Sequence, residues 1–471
     1  MATGTDGPDT LANDQTLRSE TINALGGDDR INVRPPHPPG DSTQYSSITV
    51  NGGSGFDTLA ISAPFIDLSP GYAFINEGTA TGFSISIYRY PANVFFSEVE
   101  RLVASGSAYF SRARDGSFTP GGWSTGDTID EIHVLSTRGA AQITVATNGG
   151  DDKVYLGNVG TGSTVYGGLG NDLIDLTGTG GIIAFGFGDP GDDILRGGPG
   201  NNWLDGGAGA DFLFLEQGGA DFAYGKDGND VLYFGPTLAA DDPADGGAGI
   251  DQIALRGDYT IAFGAGQLVG IEQIGLVSAF DTRFGPLADP YQYNLTMHDG
   301  NVAAGLQMTI DAAPLRPAEN LVFNGSAETD GGFRVFGGEA NDSILGGQTG
   351  DTVAGGGGGD TMFGNAGNDV FRYNASTDST PAAQDLIRDF ALGDVIDLSR
   401  IDADSLAAGN QAFSFIGSAG FGGRAGELRV EDQRNPIWLV QGDTDGDGAA
   451  DFELLLVAVG RHIPTSGDFI L

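Results

Sequence analysis

The 471-residue chain contains no cysteine, four histidines and only two lysines, Lys153 and Lys226. Without thiolates there is neither a disulfide framework nor a structural zinc site of the cysteine type. Its 22 basic side chains face 63 acidic ones, a formal net charge of −41. A surface this acidic repels phosphates and offers no basic stripe, which excludes nucleic acid as a partner. No apolar run approaches the roughly 18 to 20 residues that cross a bilayer. The start, Met1 to Asn13, shows neither a basic region nor an apolar core, so no cleavable signal peptide is expected there.

Glycine is the opposite case, with 80 positions. High glycine and high acidity are compatible with disorder, but 39% of the chain is hydrophobic, including 28 phenylalanines and 13 tyrosines. That supplies a core if something arranges it. The arrangement is a period of nine. Residues 337–372 read GGEANDSIL, GGQTGDTVA, GGGGGDTMF and GNAGNDVFR, with Asp342, Asp351, Asp360 and Asp369 at position six. Residues 188–214 read GDPGDDILR, GGPGNNWLD and GGAGADFLF, with Asp193, Asn202 and Asp211 there. After one extra residue the period resumes and adds Asp221 and Asp230; isolated copies surround Asp9, Asp29, Asp57, Asp152, Asp172 and Asp251. Position eight is apolar throughout, for example Ile174, Leu195, Leu204, Leu213, Ile344 and Phe371.

Glycines at positions one, two and four permit a tight six-residue turn. The last three residues extend as a strand whose alternation sends position eight inward. One nonapeptide buries a single side chain, too little to offset its ordering entropy, so copies must stack into a continuous core. Two nonapeptides make one coil, which superimposes turns i and i+2 at the strand spacing of about 4.8 Å. The expected stacked pairs are Asp342 with Asp360, Asp351 with Asp369, and Asp193 with Asp211. Bare carboxylates at that distance repel, and a hard cation with oxygen ligands such as calcium relieves the repulsion.

The pattern GGxGxDxUx resembles the RTX (repeats-in-toxin) calcium-binding nonapeptides, which fold as a parallel β-roll. The resemblance implies an all-β parallel β-roll or β-solenoid with calcium bound between successive turns. Carried onto this chain, the implied ligands are Asp172, Asp193, Asn202, Asp211, Asp221, Asp230, Asp251, Asp342, Asp351, Asp360 and Asp369, of which Asn202 brings no charge. Thr349 stands where the Asp351 turn would carry its fourth-position glycine, and a distorted turn is expected there. Asp443, Asp445, Asp447 and Asp451 follow a DxDxDG run like the start of an EF-hand loop, although Leu454 stands where its twelfth-position glutamate belongs.

Further along, Asp385-Leu-Ile-Arg-Asp-Phe390, Gly393-Asp-Val-Ile-Asp-Leu398, Ala425-Gly-Glu-Leu428, the run from Gly442 to Phe452 and the final Ser466-Gly-Asp-Phe-Ile-Leu471 resemble the C-terminal module of secreted serralysin-type metalloproteases. In that family the module carries an uncleaved secretion signal, which Asp468, Phe469, Ile470 and Leu471 fit. Export by type I secretion machinery to the extracellular space or the cell surface is therefore implied. The chain divides into degenerate repeat-like turns (1–60), a strand-rich non-repeat segment (61–150), repeats (151–254), a second non-repeat segment (255–336), repeats (337–372) and the serralysin-like module (373–471).

Between the repeats, the strands expected near Asp57–Ile61 and Val99–Ser105, and near Asp251–Leu255 and Ile271–Ser278, read as solenoid coils that continue without metal and throw loops outward. Phe83 to Tyr90 alternates like a half-buried strand, and a short helical turn is expected near Asp402 to Ala408. A catalytic centre is not recognisable. H-E-x-x-H is missing, and His37, His133, His298 and His462 are far apart in sequence. Gly122-Trp-Ser-Thr-Gly126 matches G-x-S-x-G with Ser124 as nucleophile, but the motif needs a strand before and a helix after, and its flanks read as a loop. The expectation is a secreted calcium-binding protein with a structural, surface-layer or matrix role, capable of self-assembly. The alternative is a secreted hydrolase whose active site lies in residues 60–150 or 252–335.

Overall fold

In the computed structural model the described part comprises residues 144–471, apart from 148, 241, 285–288, 435 and 461, together with the backbone of strands between residues 2 and 136. Asp9, Asp29, Asp57, His37 and Ser124 lie outside the described residues. The chain forms two compact units: residues 1–233 with 246–249, and residues 234–245 with 250–471. Each is a parallel β-solenoid. Among the described residues the only helical elements are three-residue 3-10 turns such as Thr177–Thr179 and Ser466–Asp468.

In the first unit, strands Lys153–Asn158, Leu173–Asp175, Ile194–Arg196 and Phe212–Phe214 lie parallel on one face. Their register places Val154, Ile174, Leu195 and Leu213 one above another. The opposite face stacks Ser163–Tyr166, Ala184–Phe187, Asn202–Ala208 and Phe222–Asp227. From it Val165, Leu204 and Ala223 enter the same core, each at most 1% exposed. These are the position-eight residues and their equivalents, so the period of nine is the period of the core. Outward positions seven and nine carry stacked rings instead, among them Trp203 on Phe222 with centroids 5.4 Å apart and Tyr166 on Phe187 at 4.9 Å.

The coils expected without repeats are present. Thr58–Ala63 pairs in parallel with Arg101–Gly106, which pairs with Glu131–Ser136, and between the first two an antiparallel hairpin, Ala73–Ile75 with Ser84–Ile87, is added to the opposite face. In the second unit Gln252–Leu255 pairs with Gln273–Leu276 in the same way. One core row then runs Ile253, Ile274, Ile310, Val335, Val353, Phe371, Ile396 and Phe469. The facing row runs Ile261, Leu295, Phe323, Ile344, Met362, Ile387 and Leu456. Phe469–Ile470, the tail with the secretion-signal resemblance, is thus a strand of the solenoid, paired with Val395–Asp397. Beyond Phe452–Ala458 the sheet turns antiparallel through Ile437–Asp443 and Glu427–Asp432.

The short turn expected near Asp402 to Ala408 is present, closed by Ala407 N–H donating to the Asp404 carbonyl at 3.0 Å, and it does not continue as a helix. The Asp402 carboxylate accepts the N–H groups of Asp404 and Gln411, and Asp404 accepts that of Leu406. Local side-chain acceptors have replaced the helical carbonyls. The turn at Thr349 departs from its neighbours, as expected, in lacking the positive φ found at Gly191, Gly209, Gly228, Gly358 and Gly367. Thr349 keeps an ordinary φ, its hydroxyl donates to the Gly331 carbonyl, and the bond from Asp351 N–H to the coil below is retained at 2.8 Å.

Because Leu213 is fully buried between rungs, Leu213→Ala should cost about 2–5 kcal/mol. The cost is read as a lowered urea midpoint in calcium-containing buffer. Leu406→Ala, at a position 76% exposed, should leave the midpoint unchanged.

Candidate metal centre

The glycines explain themselves at two turn positions. Position-four glycines stack, and each has positive φ: 157° at Gly191, 141° at Gly209 and 149° at Gly228. A Cβ on Gly209 would lie 1.9 Å from the Gly191 carbonyl oxygen, and one on Gly228 1.6 Å from that of Gly209. Position-one glycines leave a different gap. A Cβ at Gly188, Gly206, Gly355 or Gly364 would meet Oδ2 of Asp193, Asp211, Asp360 or Asp369 at 2.0–2.3 Å. The missing side chain at position one is the cradle of the position-six carboxylate.

That carboxylate has two different oxygens. Oδ1 accepts the backbone N–H of the position-six residue in the preceding coil: Asp172 from Asp152, Asp193 from Asp172, Asp211 from Asp193 and Asp230 from Asp211, at 2.7–2.8 Å. In the second unit Asp360 accepts from Asp342 and Asp369 from Asp351. The expected stacked pairs are therefore in place. A second ladder runs the other way at position five: Asp151 accepts from Asn171 N–H, Asn171 from Asp192 and Asp192 from Ala210.

Oδ2 is the unsatisfied atom. It is buried and without a hydrogen-bond partner in Asp172, Asp193, Asp211, Asp360, Asp369 and Asp385. Burial is the main reason that the acidity constants of Asp172, Asp193, Asp211 and Asp369 rise to about 7, opposed by the accepted N–H and reinforced by neighbouring carboxylates. Asp360 and Asp385 are pushed up by burial and, for Asp360, by repulsion from Asp385. Asp342 and Asp351 reach only about 6, because their Oδ2 atoms also accept an N–H, from Gly338 and Gly347. A row of buried oxygens that lack donors, set in glycine cradles, fits a hard divalent cation.

The remaining expected residues fall into distinct settings. Asn202 Nδ2 donates to the carbonyls of Gly198 and Gly200 and to Asp221 Oδ1. An amide thus supplies positive hydrogens at the turn where charge is lacking. Asp251 is buried, and its N–H goes to Glu272 Oε2 rather than to an aspartate. Carboxylate oxygens of Asp443, Asp445 and Asp447 converge within 4.8 Å of one another. Asp451 turns away from them, accepting from Thr444 N–H and Oγ1.

Some residues escaped the sequence reading. Asp385 and Asp394 continue the ladder, accepting the N–H groups of Asp360 and Asp369. Their signal was present as aspartate followed two residues later by Ile387 or Ile396, but the spacing has grown from 18 to 25 residues. Asp299, Glu328 and Asp330 also bring carboxylate oxygens within 4.8 Å, from positions too far apart for a motif. Glu328 is fully buried and accepts Gly331 N–H.

Against this geometry, residues 187–219 and 217–236 match the RTX calcium-binding nonapeptide repeat model. Residues 321–471 match the model described as Peptidase M10 serralysin C terminal. The chain carries RTX calcium-binding repeats and a serralysin C-terminal module. RTX repeats bind Ca2+. The serralysin match begins well before residue 373 and takes in the repeats at 337–372. No protease domain is detected, and a search of curated proteins finds no match.

In metal-free RTX coils the raised acidity constants mean that the folded state holds protons which the unfolded chain releases near 3.8. Their stabilising contribution is complete below that value and is lost as pH rises through about 7. The residual β signal in circular dichroism of chelator-treated protein should therefore shrink between pH 5 and pH 8. Added calcium, which competes with those protons, should reverse the trend.

Proposed function

We propose that this chain is a secreted calcium-binding protein whose acidic coils fold when they meet extracellular calcium and whose role is structural, at a surface or in a matrix. The observation that carries this reading is the row of buried Oδ2 atoms. The chain sets only two lysines, Lys153 and Lys226, against a net charge of −41, and Lys226 pairs with Asp205, 3.4 Å apart. Among the described residues the ion pairs, those of the arginines included, go to other carboxylates such as Asp205, Asp281, Glu339 and Asp397 and not to the cradled ones. We assign the metal-holding role first to Asp172, Asp193, Asp211, Asp360 and Asp369, whose free oxygens face the cradles, and next to Asp385, which continues their ladder without a glycine cradle.

Coupling to folding follows from mass action. At free calcium 100-fold above Kd each site stabilises by about 2.7 kcal/mol, and well below Kd by almost nothing. Cytosol withholds the ion and the extracellular space supplies it. The serralysin module supports type I export as the route, and among the described residues no helix is long and apolar enough to cross a membrane.

Circular dichroism and sedimentation of the full chain, in chelator and in millimolar calcium, test the reading. The expected outcome is a largely disordered signal in chelator and a β signal with compaction in calcium. Identical spectra in protein shown to be metal-free would overturn it. Asp211→Ala should cost about 2–3 kcal/mol in calcium, since it removes a charge-assisted buried hydrogen bond as well as a ligand. Exposed Asp227→Ala should change stability by less than about 0.5 kcal/mol.

A further inference from the structure

The second unit has a cavity away from the aspartate ladders. Strands Gln252–Leu255, Gln273–Leu276 and Gln307–Asp311 bring Ala254, Gly275 and Asp311 side by side on the outward surface. Two of these three positions carry at most a methyl group. The result is an open trough of about 510 Å3, walled by the loops after residues 276 and 312. Gly275 has no positive φ, so no backbone constraint calls for glycine there. What glycine does is leave room: a Cβ would lie 2.3 Å from the Gln252 side-chain amide, which lies across it.

One buried carboxylate fixes both walls. Glu319, fully buried, accepts the Ser278 hydroxyl at 2.5 Å and Ala279 N–H at 2.7 Å from one loop, and Arg316 N–H at 3.0 Å from the other. The trough is therefore preformed rather than a chance gap between mobile side chains.

The charge at its rim is unusual for this molecule. Between residues 227 and 333 the only lysines or arginines are Arg256, Arg283 and Arg316. Arg283 and Arg316 line the trough, and Arg256 is close enough to help hold the Asp281 carboxyl below its ordinary range, after the hydrogen bonds from Arg283. Arg283 pairs with Asp281 at 2.6 Å and Arg316 with Glu339 at 3.2 Å. Two arginines and two aspartates, Asp281 and Asp311, thus balance at the lining of a strongly acidic protein. A cation site would want carboxylates alone, and a polyanion would want an excess of arginine. Paired carboxylates and guanidinium groups beside an amide present acceptors and donors together, which suits vicinal hydroxyls. Phe280, 40% exposed, adds an apolar surface at the same wall.

We propose that the trough over Gly275 is a binding site for a neutral oligosaccharide, its hydroxyls held by Asp311, Gln252 and the arginines and its apolar edge resting on Phe280. The site is independent of the calcium ladders. Isothermal titration of the calcium-loaded full chain tests it, with maltotetraose, cellotetraose and the fully N-acetylated chitotetraose as neutral probes and tetragalacturonate and inorganic sulfate as anionic ones. At least one neutral probe should bind, and Gly275→Val and Arg316→Ala should each weaken it at least about tenfold while the calcium-dependent circular dichroism stays as in the parent. If Gly275→Val fails to fold, Arg316→Ala, at an exposed position, decides alone. No binding of any neutral probe, binding of the anionic probes only, or binding untouched by Arg316→Ala would overturn the proposal.

Discussion

Everything in the two solenoids depends on one carboxylate geometry. A position-six aspartate spends one oxygen on the N–H of the coil before it and buries the other in the space left by a position-one glycine. The first bond sets the spacing between turns and adds to the strand register. The second oxygen stores an electrostatic demand that the protein part alone leaves unmet. Burial of the position-eight row is favourable at roughly 1.5–3 kcal/mol per side chain, yet each rung brings further carboxylate charge toward its neighbours. Under the proposed assignment a hard cation would turn that repulsion into cohesion, and the same residues would be the fold's weakness without metal and its fastening with it.

Much of this was legible because the code is local. Aspartate at six forces glycine at one, close stacking forces glycine at four, and alternation forces an aliphatic residue at eight. Position two reads less cleanly: Asp189, Lys226 and Asn365 adopt φ of 68°, 83° and 66° there, strain that a glycine would avoid. Even the coils without repeats could be anticipated, since Gln273–Leu276, paired with the repeat strand Gln252–Leu255, keeps the core alternation while losing the turn. Coil periodicity survives in the strands because the core is shared, whatever the loops do.

What escaped was non-local. Asp385 and Asp394 obey the same rule as the repeats, but the loops before them lengthened the coil and hid the period. Asn202 looks like a weakened aspartate in sequence; in space its amide hydrogens reach two turn carbonyls and the Asp221 carboxylate, a job no carboxylate performs. The turn expected near Asp402 forms but stops there, because acidic side chains two residues from their N–H targets take the donors that a helix would need. The trough over Gly275 depends on three strands in register and on Glu319, drawn from distant segments. No short pattern encodes such a convergence.

The ladder also has a direction, and the direction gives the C-terminal module a physical part. Among the described residues the position-six N–H groups of Asp152, Asp172, Asp193, Asn202, Asp211, Asp342 and Asp351 are satisfied by the coil that follows them in the chain. A coil is therefore incomplete until its successor is in place, and the last repeats of the second unit need acceptors from beyond the repeats. Asp385 and Asp394 supply them. The strands that present these two carboxylates are themselves held from the far end: Asp385–Phe390 by Phe452–Ala458, and Val395–Asp397 by Phe469–Ile470. Asp468 anchors that final strand by accepting Thr465 N–H and holding His462. Without the module the N–H groups of Asp360 and Asp369 would exchange their carboxylate partners for water, a net loss of about 1.5–3 kcal/mol each for a bond to a charged acceptor. The repeats and the module that ends them are, on this argument, one cooperative ladder rather than a binding array with a tail attached.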